Sequence, residues 1–306
     1  DAQGNIWIGT YYGGINYFNP EHEVYKTYSR SDSKGRALSN NVVGPMIEDK
    51  HGILWIATEG GGLNRLDRST GKIEYVTTRN SDLSSDNIQS LYYDESKDII
   101  WIGTHLRDLN RLDIRTGKVK SYNDRRAKYS SQARTIKDIE PCGDLLLLAT
   151  HEGIYEFDPS TESRKKMSWE KELKDIIKGV SSLYVDSKDN LWIAVDNVGV
   201  LCHDISSGKN TMFTPSGEGT LSGKNVSSII EDDNGRIWFA TSPFGIDVYD
   251  PETETFTNYD TGNSGMISNR TYTFIRSVTS SNILFSNSDG VCSFDPLTRN
   301  FINYDK

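Results

Sequence analysis

The sequence predicts an all-β fold, a seven-bladed β-propeller of four-stranded antiparallel blades. Three observations lead to this prediction: a motif returns seven times, short alternating runs surround each copy, and turn residues separate the runs. Four short strands in a unit of roughly 45 residues, repeated between four and eight times, are typical of a propeller.

The first copy of the motif is Gly-Asn-Ile-Trp-Ile-Gly-Thr, at residues 4–10. The copies are centred on Trp7, Trp55, Trp101, Leu147, Trp192, Trp238 and Leu284. A second marker, the polar residue that closes the next apolar run, keeps the same spacing at Asn19, Asp67, Asp113, Asp158, Asp204, Asp250 and Asp295. We therefore expect one domain over residues 1–306, with repeats at about 1–37, 38–83, 84–130, 131–176, 177–221, 222–267 and 268–306.

The second repeat shows the strands of one blade. Short apolar runs occupy residues 42–47, 53–58, 63–67 and 72–76, and turn residues lie between them. Apolar and polar residues alternate with period two in these runs, which are too short for helices. Each repeat therefore predicts four strands joined by tight turns.

Glycine and tryptophan have separate predicted roles in each blade. We expect a positive φ in the first hairpin at Gly4, Gly52 and Gly235, and in the third hairpin at Gly71, Gly117 and Gly208. The tryptophans should fill the space between neighbouring blades, because a large flat side chain buries much apolar area. We assign them to the core rather than to ligand stacking.

The first strand of a blade occurs one time fewer than the other three. Its copies are at residues 42–47, 88–93, 135–139, 180–185, 226–230 and 272–278. The chain opens inside a turn, so we expect blade one to take this strand from residues before Asp1 or after Lys306. On this interpretation the chain is a piece of a longer protein.

The composition limits the class of protein. The chain has 306 residues, of which 35% are hydrophobic and 25% charged, with a net charge of -9. An acidic balance argues against a domain that binds nucleic acid or a membrane surface directly. The three cysteines, Cys142, Cys202 and Cys292, have no C-x-x-C spacing, so we interpret them as structural thiols that leave the redox compartment undecided. No signal peptide and no apolar run long enough to cross a bilayer is found, so any membrane contact is expected from other segments.

Several segments resemble the repeat of the two-component regulator propeller family. They are the motif at 4–10, the run Gly-Gly-Ile-Asn-Tyr-Phe-Asn-Pro at 13–20, Leu-Ser-Asn-Asn-Val at 38–42, and the related runs at 86–91 and 223–231. The resemblance covers the whole chain and is weaker in repeats four and seven. It lies in scaffold residues and brings no ligand residue with it.

The resemblance implies an extracytoplasmic sensor domain of a hybrid two-component regulator. In such proteins propellers, commonly two in tandem, precede an immunoglobulin-like domain, a membrane span, a histidine kinase and a DNA-binding regulator part. An oligosaccharide released from a polysaccharide is the usual signal, and a homodimer is the family habit. These features place the domain in the periplasm, with its catalytic kinase elsewhere in the protein.

Candidate ligand residues are sought where the sequence departs from the repeat. The loop between the second and third strands is the place, because it faces the same side as the connection to the next blade. Aromatic rings cover apolar sugar faces, while charged and amide groups bind hydroxyls. The candidates are Tyr11, Tyr12, Glu59, His105, Arg107, Asp108, His151, Asp196, Asn197 and Phe244. Contact with another domain and plain solvated loops are the alternative interpretations.

Two connections between blades are predicted to be basic. One carries Arg125, Arg126, Lys128, Arg134 and Lys137, and the next carries Arg164, Lys165, Lys166, Lys171, Lys174 and Lys178. They attract an anionic sugar or an acidic partner, or they form a solvated surface. In the second connection, Ser168 and Glu170 predict the start of a short helix whose apolar face carries Trp169, Leu173, Ile176 and Ile177.

Enzymatic interpretations have weaker support. The D-x-x-G turns resemble sialidase Asp boxes but lack the required serine and threonine. Streptogramin lyases are also propellers with a motif similar to Gly-Asn-Ile-Trp. In such an enzyme His105, or His151 with Glu152, could act as acid and base. Histidine spacing predicts no metal site, and no cofactor is expected. A structural spacer that only transmits movement is the third hypothesis.

Overall fold

The computed structural model describes residues 1–10, 12–19, 24–33, 35–122, 129–169, 171–217, 219–277, 280–296 and 298–304. The chain divides into two compact units, Asp1–Ile139 and Glu140–Lys306. Each unit is a succession of antiparallel sheets in which sequential strands are neighbours.

The first unit contains three sheets. The first has strands β1 (Ile6–Thr10), β2 (Gly14–Asn19) and β3 (Val24–Tyr28); the second has β4 (Val43–Glu48), β5 (Ile53–Thr58), β6 (Gly62–Asp67) and β7 (Lys72–Val76); the third has β8 (Ile88–Asp94), β9 (Ile99–Thr104), β10 (Asp108–Asp113) and β11 (Lys118–Ser121).

The second unit is described with four sheets, and its boundary falls within strand β12. The sheets contain β12 (Asp138–Cys142), β13 (Leu145–Thr150), β14 (Gly153–Asp158) and β15 (Ser163–Lys166); β16 (Val180–Val185), β17 (Asn190–Val195), β18 (Gly199–Asp204) and β19 (Asn210–Phe213); β20 (Ile229–Glu231), β21 (Ile237–Ala240), β22 (Ile246–Asp250) and β23 (Thr255–Tyr259); β24 (Thr271–Arg276), β25 (Ile283–Asn287), β26 (Gly290–Asp295) and β27 (Asn300–Tyr304). The helix α1 (Lys171–Lys174) follows β15.

These sheets confirm the predicted fold, a seven-bladed β-propeller with four-stranded antiparallel blades. Among the described residues the first blade has three strands, as the repeat count predicted. The predicted hairpin glycines have positive φ, for example 75° at Gly52 and 69° at Gly71. In blade five Asp189 takes the place of the first of these glycines, with φ 60°.

The tryptophans lie in the core between neighbouring blades, as predicted. Trp55 packs with Ile100 and Ile102 of the next blade. Trp192 packs against Phe239, with ring centroids 5.6 Å apart. Trp55, Trp101, Trp192 and Trp238 are buried because their strands run through the middle of the sheet, whereas β1 is the edge strand of its sheet and Trp7 is half-buried.

An aspartate six residues before the tryptophan holds the indole ring. Asp49 Oδ2 accepts a hydrogen bond from Trp55 Nε1 at 2.7 Å, and its Oδ1 accepts from the backbone N–H groups of His51 and Ile53. The pair recurs at Asp1 and Trp7, Asp186 and Trp192, and Asp232 and Trp238. The D-x-x-G turn therefore anchors the core ring beside it as well as closing the hairpin.

The first strands begin with an irregular pairing. Register shifts occur near the start of β4, β8, β16 and β24. In blade six the N–H of Ser227 and the C=O of Ser228 both pair with Ala240. β20 therefore begins at Ile229 instead of the predicted residue 226, because a β-bulge precedes it.

Blade four also corrects a predicted strand boundary. β12 begins at Asp138, whereas residues 135–139 were predicted. Thr135 and Ile136 bond with the preceding blade: Thr135 Oγ1 accepts from Leu106 N–H at 3.1 Å, and Ile136 N–H donates to Thr104 O at 3.2 Å. Because of these bonds, strand β12 begins later in the sequence than predicted.

The predicted helix is present but spans a single turn. Trp169 and Leu173 pack against the apolar cluster of blades four and five, and Ile177 is buried. Ile176 is exposed, so its assignment to the apolar face was wrong. Beyond the turn, Gly179, with φ 65°, donates its N–H to His151 O and redirects the chain. Glu170 lies outside the described residues.

Part of the predicted basic connection is a strand. Arg164, Lys165 and Lys166 lie in β15, and not in the connection that follows it. Arg164 stacks on the Tyr155 ring at 4.1 Å, and Lys165 Nζ lies 2.7 Å from Glu156 Oε2. Arg125, Arg126 and Lys128 of the other basic stretch lie outside the described residues. The cations of β15 therefore have cross-strand partners in β14.

Candidate functional site

The candidate residues follow the ends of the second strands. Tyr12 lies after β1, Glu59 after β5, His105 and Arg107 after β9, His151 after β13, Asp196 and Asn197 after β17, and Phe244 after β21. Tyr11 lies outside the described residues. Within each unit, we call the ends of the blades that carry these loops the loop face of that unit, and the two are described in turn.

In the first unit, hydrogen bonds join the loops of blades two and three to the connection that precedes each blade. The Glu59 N–H donates to Val42 O at 3.0 Å, and Asn40 Nδ2 donates to Glu59 O at 2.6 Å. The His105 N–H donates to Asn87 O at 2.9 Å. The side chains of Glu59 and His105 remain exposed.

The loop of blade three contains both exposed and buried residues. His105 and Arg107 are exposed, and so is Leu106 between them, with φ 61°. Asp108 is 3% exposed and its N–H donates to Arg134 O at 2.9 Å. We therefore leave Asp108 out of the set that can touch a ligand and keep His105 and Arg107.

A buried polar layer supports the loops of the first unit. Thr58 Oγ1 donates to Gly62 O at 3.1 Å and lies 3.0 Å from Ser39 Oγ. The Ser39 N–H donates to Asn64 Oδ1 at 2.8 Å. Because these bonds hold both ends of the loop, its exposed side chains project from a fixed backbone.

In the second unit, Gly179 joins the loops of blades four and five. Its N–H donates to His151 O, and its carbonyl accepts from the Asp196 N–H, both at 2.9 Å. Asp196 is half-buried, whereas His151 and Asn197 are exposed. The Asn197 N–H donates to Asn225 Oδ1 at 2.8 Å, which continues the chain of contacts to blade six.

Phe244 is the exposed aromatic residue among the described candidates of the second unit. Its side chain is 49% exposed. The ring lies against Gly223, where an added Cβ would stand 2.7 Å from Phe244 Cδ2. Asn258 Nδ2 donates to Phe244 O at 3.2 Å. The glycine therefore provides the space in which the ring is seated.

The blade-six loop rests on a buried carboxylate. Asp247 Oδ2 accepts from Ser222 N–H and Ser222 Oγ, both at 2.8 Å, and Asn258 Nδ2 donates to Oδ1 at 3.1 Å. Asp247 is 0% exposed, and this burial raises the pKa of its carboxyl group. Asn64 and Asn110 occupy the same position in blades two and three.

Three further exposed residues were not among the candidates. Tyr272, 47% exposed, follows Thr271 at the start of β24, and Lys224 and Arg270 lie in the connections before blades six and seven. The signal in the sequence was their position in the repeat. Lys224 and Arg270 each stand two residues after the linker serine, where blades two and three have Asn41 and Asp86.

A groove of about 580 Å³ lies beside the outer strands of the last two blades. It is lined by Tyr259, Asn263, Ser264, Gly265, Arg299, Asn300, Phe301 and Ile302. None of the candidate residues lines it. Asn263 already bonds the surrounding turn, since its Oδ1 accepts from Asp260 N–H and its Nδ2 donates to Asn258 O.

The described residues contain no group of three or more His, Cys, Asp or Glu side chains placed to hold a metal ion. No helix among them is long and apolar enough to cross a membrane.

Fold and loop face together define a propeller whose scaffold residues repeat and whose exposed loop residues do not. Residues 37–60 and 220–242 match the family model of the two component regulator propeller. These two segments are thus repeats of that family, and the resemblance found in the sequence is confirmed.

Solved structures share the fold. The extracellular domain of a candidate hybrid two component system, BT3049 from B. thetaiotaomicron, is 18% identical with a TM-score of 0.57, and the match covers 99% of this chain and 45% of that one. PorZ, an essential bacterial surface component of the type-IX secretion system of Porphyromonas gingivalis, is 12% identical with a TM-score of 0.71, covering 95% and 44%. The computationally designed Ika8 protein is 11% identical with a TM-score of 0.62, covering 98% and 83%.

The chain spans less than half the length of the BT3049 and PorZ chains. At these identities the similarity establishes the fold alone. No curated protein matches the chain.

Proposed function

We propose that this chain is a ligand-recognising propeller in the extracytoplasmic, periplasmic part of a hybrid two-component regulator. It binds a polysaccharide-derived oligosaccharide on its loop face, and the bound state is relayed to a histidine kinase. The observation that carries the proposal is the contrast between a faithfully repeated scaffold and the exposed, unrepeated side chains on its loops.

The side chains of the loop face suit a sugar. In the first unit, Tyr12 offers a ring that is 73% exposed and can cover the apolar face of a pyranose, while Arg107 supplies donors and Glu59 supplies acceptors for hydroxyl groups. In the second unit, Phe244 offers a ring that is 49% exposed, and Asn197 supplies donors. Because the loops are held by backbone hydrogen bonds, a ligand would find these groups already in place.

The comparisons support the sensor part of the proposal. Two repeats match the two component regulator propeller, and a structure of similar fold is an extracellular domain of a candidate hybrid two component system. We propose that an adjacent propeller and an immunoglobulin-like domain of the same protein are its neighbours. A homodimer is the proposed signalling assembly.

Calorimetry and thermal shift against a panel of oligosaccharides test this function. We expect at least one sugar to raise the melting temperature and to bind with a measurable Kd. Phe244→Ala and Arg107→Ala should weaken that binding, whereas Glu252→Ala, an exposed change in the turn before β23, should not. Product analysis of the same mixtures tests the lyase alternative.

Failure of every sugar to bind, also with the neighbouring domains attached, would leave the structural spacer as the better hypothesis. Sugar binding that is insensitive to both loop variants would place the site elsewhere on the molecule. Cleaved products formed by the purified chain would replace the sensor proposal with a catalytic one.

A further inference from the structure

Two basic residues lie next in sequence to positions that contact the Phe244 loop. Lys224 follows Gly223, against which the ring is seated. Arg270 follows Asn269, whose carbonyl accepts the N–H of Gly245 at 3.0 Å. The segment 244–245 therefore contacts both connections immediately beside a basic residue.

A second aromatic ring lies in the same contact network. Thr271 Oγ1 donates to Gly245 O at 2.6 Å, so Tyr272 follows a residue bonded to the Phe244 loop. Ser227 Oγ donates to Tyr272 O, also at 2.6 Å, which ties it to blade six. Tyr272 is 47% exposed. We call Lys224, Phe244, Arg270 and Tyr272 the Phe244 patch.

The cations of this patch have no partner among the described residues. Lys224 and Arg270 are exposed, and neither side chain bonds or pairs with any residue that the structure describes. Some other surface cations are paired: Lys165 pairs with Glu156, and Lys178 pairs with Asp175 at 3.1 Å. Among the residues that the structure describes, the two positive charges of the Phe244 patch thus have no ionic partner, on a chain whose net charge is -9.

Two acidic groups that belong to the loops bonded to these connections have other partners. Asp247 is buried under the loop, where Ser222 and Asn258 bond its carboxylate. In the following blade, Asp289 accepts the hydroxyl of Ser288 at 2.9 Å. Neither carboxylate is paired with Lys224 or Arg270.

We propose that the Phe244 patch binds an anionic oligosaccharide, one whose sugar rings carry carboxylate or sulfate groups. The inference rests on the proposed function and specifies its ligand class. Arg270 and Lys224 bind the anionic substituents through charge-assisted hydrogen bonds, and the rings of Phe244 and Tyr272 cover the sugar faces between them. A neutral sugar would leave both cations without a partner and would gain only the ring contacts.

A matched pair of probes tests the ligand class. An oligogalacturonide and its fully methyl-esterified form share the same rings and differ in charge, and a chondroitin sulfate oligosaccharide and its desulfated form do the same for sulfate. We expect the 306-residue chain to bind at least one acidic probe about tenfold or more tightly than its neutral counterpart. Affinity for the acidic probe should fall as salt rises, because exposed charges are screened.

Variants assign the binding to the patch. Lys224→Met and Arg270→Met keep an apolar stem and remove the charge. Each should therefore weaken binding of the acidic probe about tenfold and leave binding of the neutral probe unchanged. Phe244→Ala should weaken both. Lys209→Met removes an exposed cation from the turn between β18 and β19, at the other end of the strands, and should change neither. Circular dichroism and melting temperature confirm that every variant is folded.

The outcomes separate the two proposals. Equal binding of the acidic and neutral probes, or acidic binding unaffected by Lys224→Met and Arg270→Met, overturns the anionic inference and leaves the sensor function standing. Binding of no probe, acidic or neutral, while other sugars of the panel bind, also overturns the inference alone. Binding of no sugar at all overturns both.

Discussion

Asp247 occupies a position where two other blades have asparagine. Asn64 and Asn110 accept the N–H of a linker serine, at 2.8 and 3.0 Å, and Asp247 does so with a carboxylate. Burial raises its pKa above that of the unfolded chain, since the charged form loses hydration. The ionised carboxylate therefore costs stability that an amide would not cost.

The pH dependence of Asp247→Asn follows from the sign of this shift. With the folded pKa raised, stability from this group is full below the ordinary aspartate pKa of about 4 and is lost as pH rises through the folded value. The free energy of unfolding of the native chain, relative to that of Asp247→Asn, should thus decrease between acid and neutral pH. Urea denaturation at a series of pH values measures the difference.

Asp158→Asn is the control for this titration. Its hydrogen bond from the Ser160 hydroxyl lowers the pKa of the exposed Asp158 carboxyl to about 2, in the opposite direction. Its removal should not reproduce the trend of Asp247→Asn. A constant difference between the native chain and Asp247→Asn at all pH values would contradict the assignment.

At the scale of the element, the aspartate that opens the first hairpin turn, D-x-x-G or, in blade five, D-x-x-D, joins the hairpin to the core. In blade five Asp186 accepts Trp192 Nε1 at 2.8 Å and the N–H groups of Lys188 and Asn190 at 2.9 and 2.8 Å. The carboxylate thereby fixes the turn and the orientation of the indole ring. This explains why aspartate and tryptophan recur six residues apart.

Asp186→Ala should destabilise the chain by about 3 kcal/mol, because a buried indole N–H and two turn amides lose their acceptor. Urea denaturation followed by tryptophan fluorescence measures the loss. Glu252→Ala, at an exposed turn position, is the matched control and should change stability by under about 0.5 kcal/mol. A loss for Asp186→Ala no larger than that of the control would show that the turn is held by other bonds.

The loops depend on the elements that surround them. A β-bulge near the start of several first strands and the bonds from linker serines hold the backbone next to the loop face. Buried linker residues, Leu38, Leu83 and Leu221, anchor the connections from beneath. Exposed residues such as Phe244 can vary without disturbing the sheets, because the supporting contacts are made by other residues.

At the scale of the whole molecule, the packing of the fold determines the burial and the thiol pKa of the cysteines. Burial raises the pKa of the Cys202 thiol to about 12 and also raises that of Cys142. Cys292 is 0% exposed and its Sγ lies 2.7 Å from Asn303 Oδ1. All three are free thiols.

Reaction with a disulfide reagent at neutral pH should therefore be slow in the native chain, because little thiolate is present and access is restricted. In guanidinium all three thiols of the sequence should react rapidly. The absorbance of the released chromophore counts them. Cys142→Ala should lower the count in guanidinium to two, and rapid reaction of the native chain would contradict the burial described here.

Much of the fold could be predicted from the sequence. The period of the motif and the alternation in runs such as 63–67 predicted the blades, the three-stranded first blade and the core tryptophans. The predicted strand bounds were wrong at β12 and β20. Hydrogen bonds to the preceding blade delay the start of β12, and a β-bulge delays the start of β20. The prediction that Ile176 lies on the apolar face of the short helix was wrong, because periodicity cannot indicate where a contact distant in sequence redirects the chain.

The candidate site could be predicted only as a set of loops. Departure from the repeat correctly pointed to exposed residues such as Glu59, His105 and Phe244, but it also included Asp108, which is buried. It missed Lys224, Arg270 and Tyr272, because they lie in the connections or at the start of a first strand, outside the loops in which departures from the repeat were sought. Whether these residues bind a ligand stays a prediction.

The sequence by itself determined the propeller, because strand alternation, turn chemistry and a repeated core ring are local properties that return with every blade. Tertiary structure decided which unrepeated side chains reach solvent and which carboxylates are buried. It also placed Phe244 against Gly223, beside connections that carry Lys224 and Arg270, whose side chains have no partner among the described residues. Those facts depend on contacts between blades that lie about 20 to 45 residues apart along the chain, and a local pattern does not encode them.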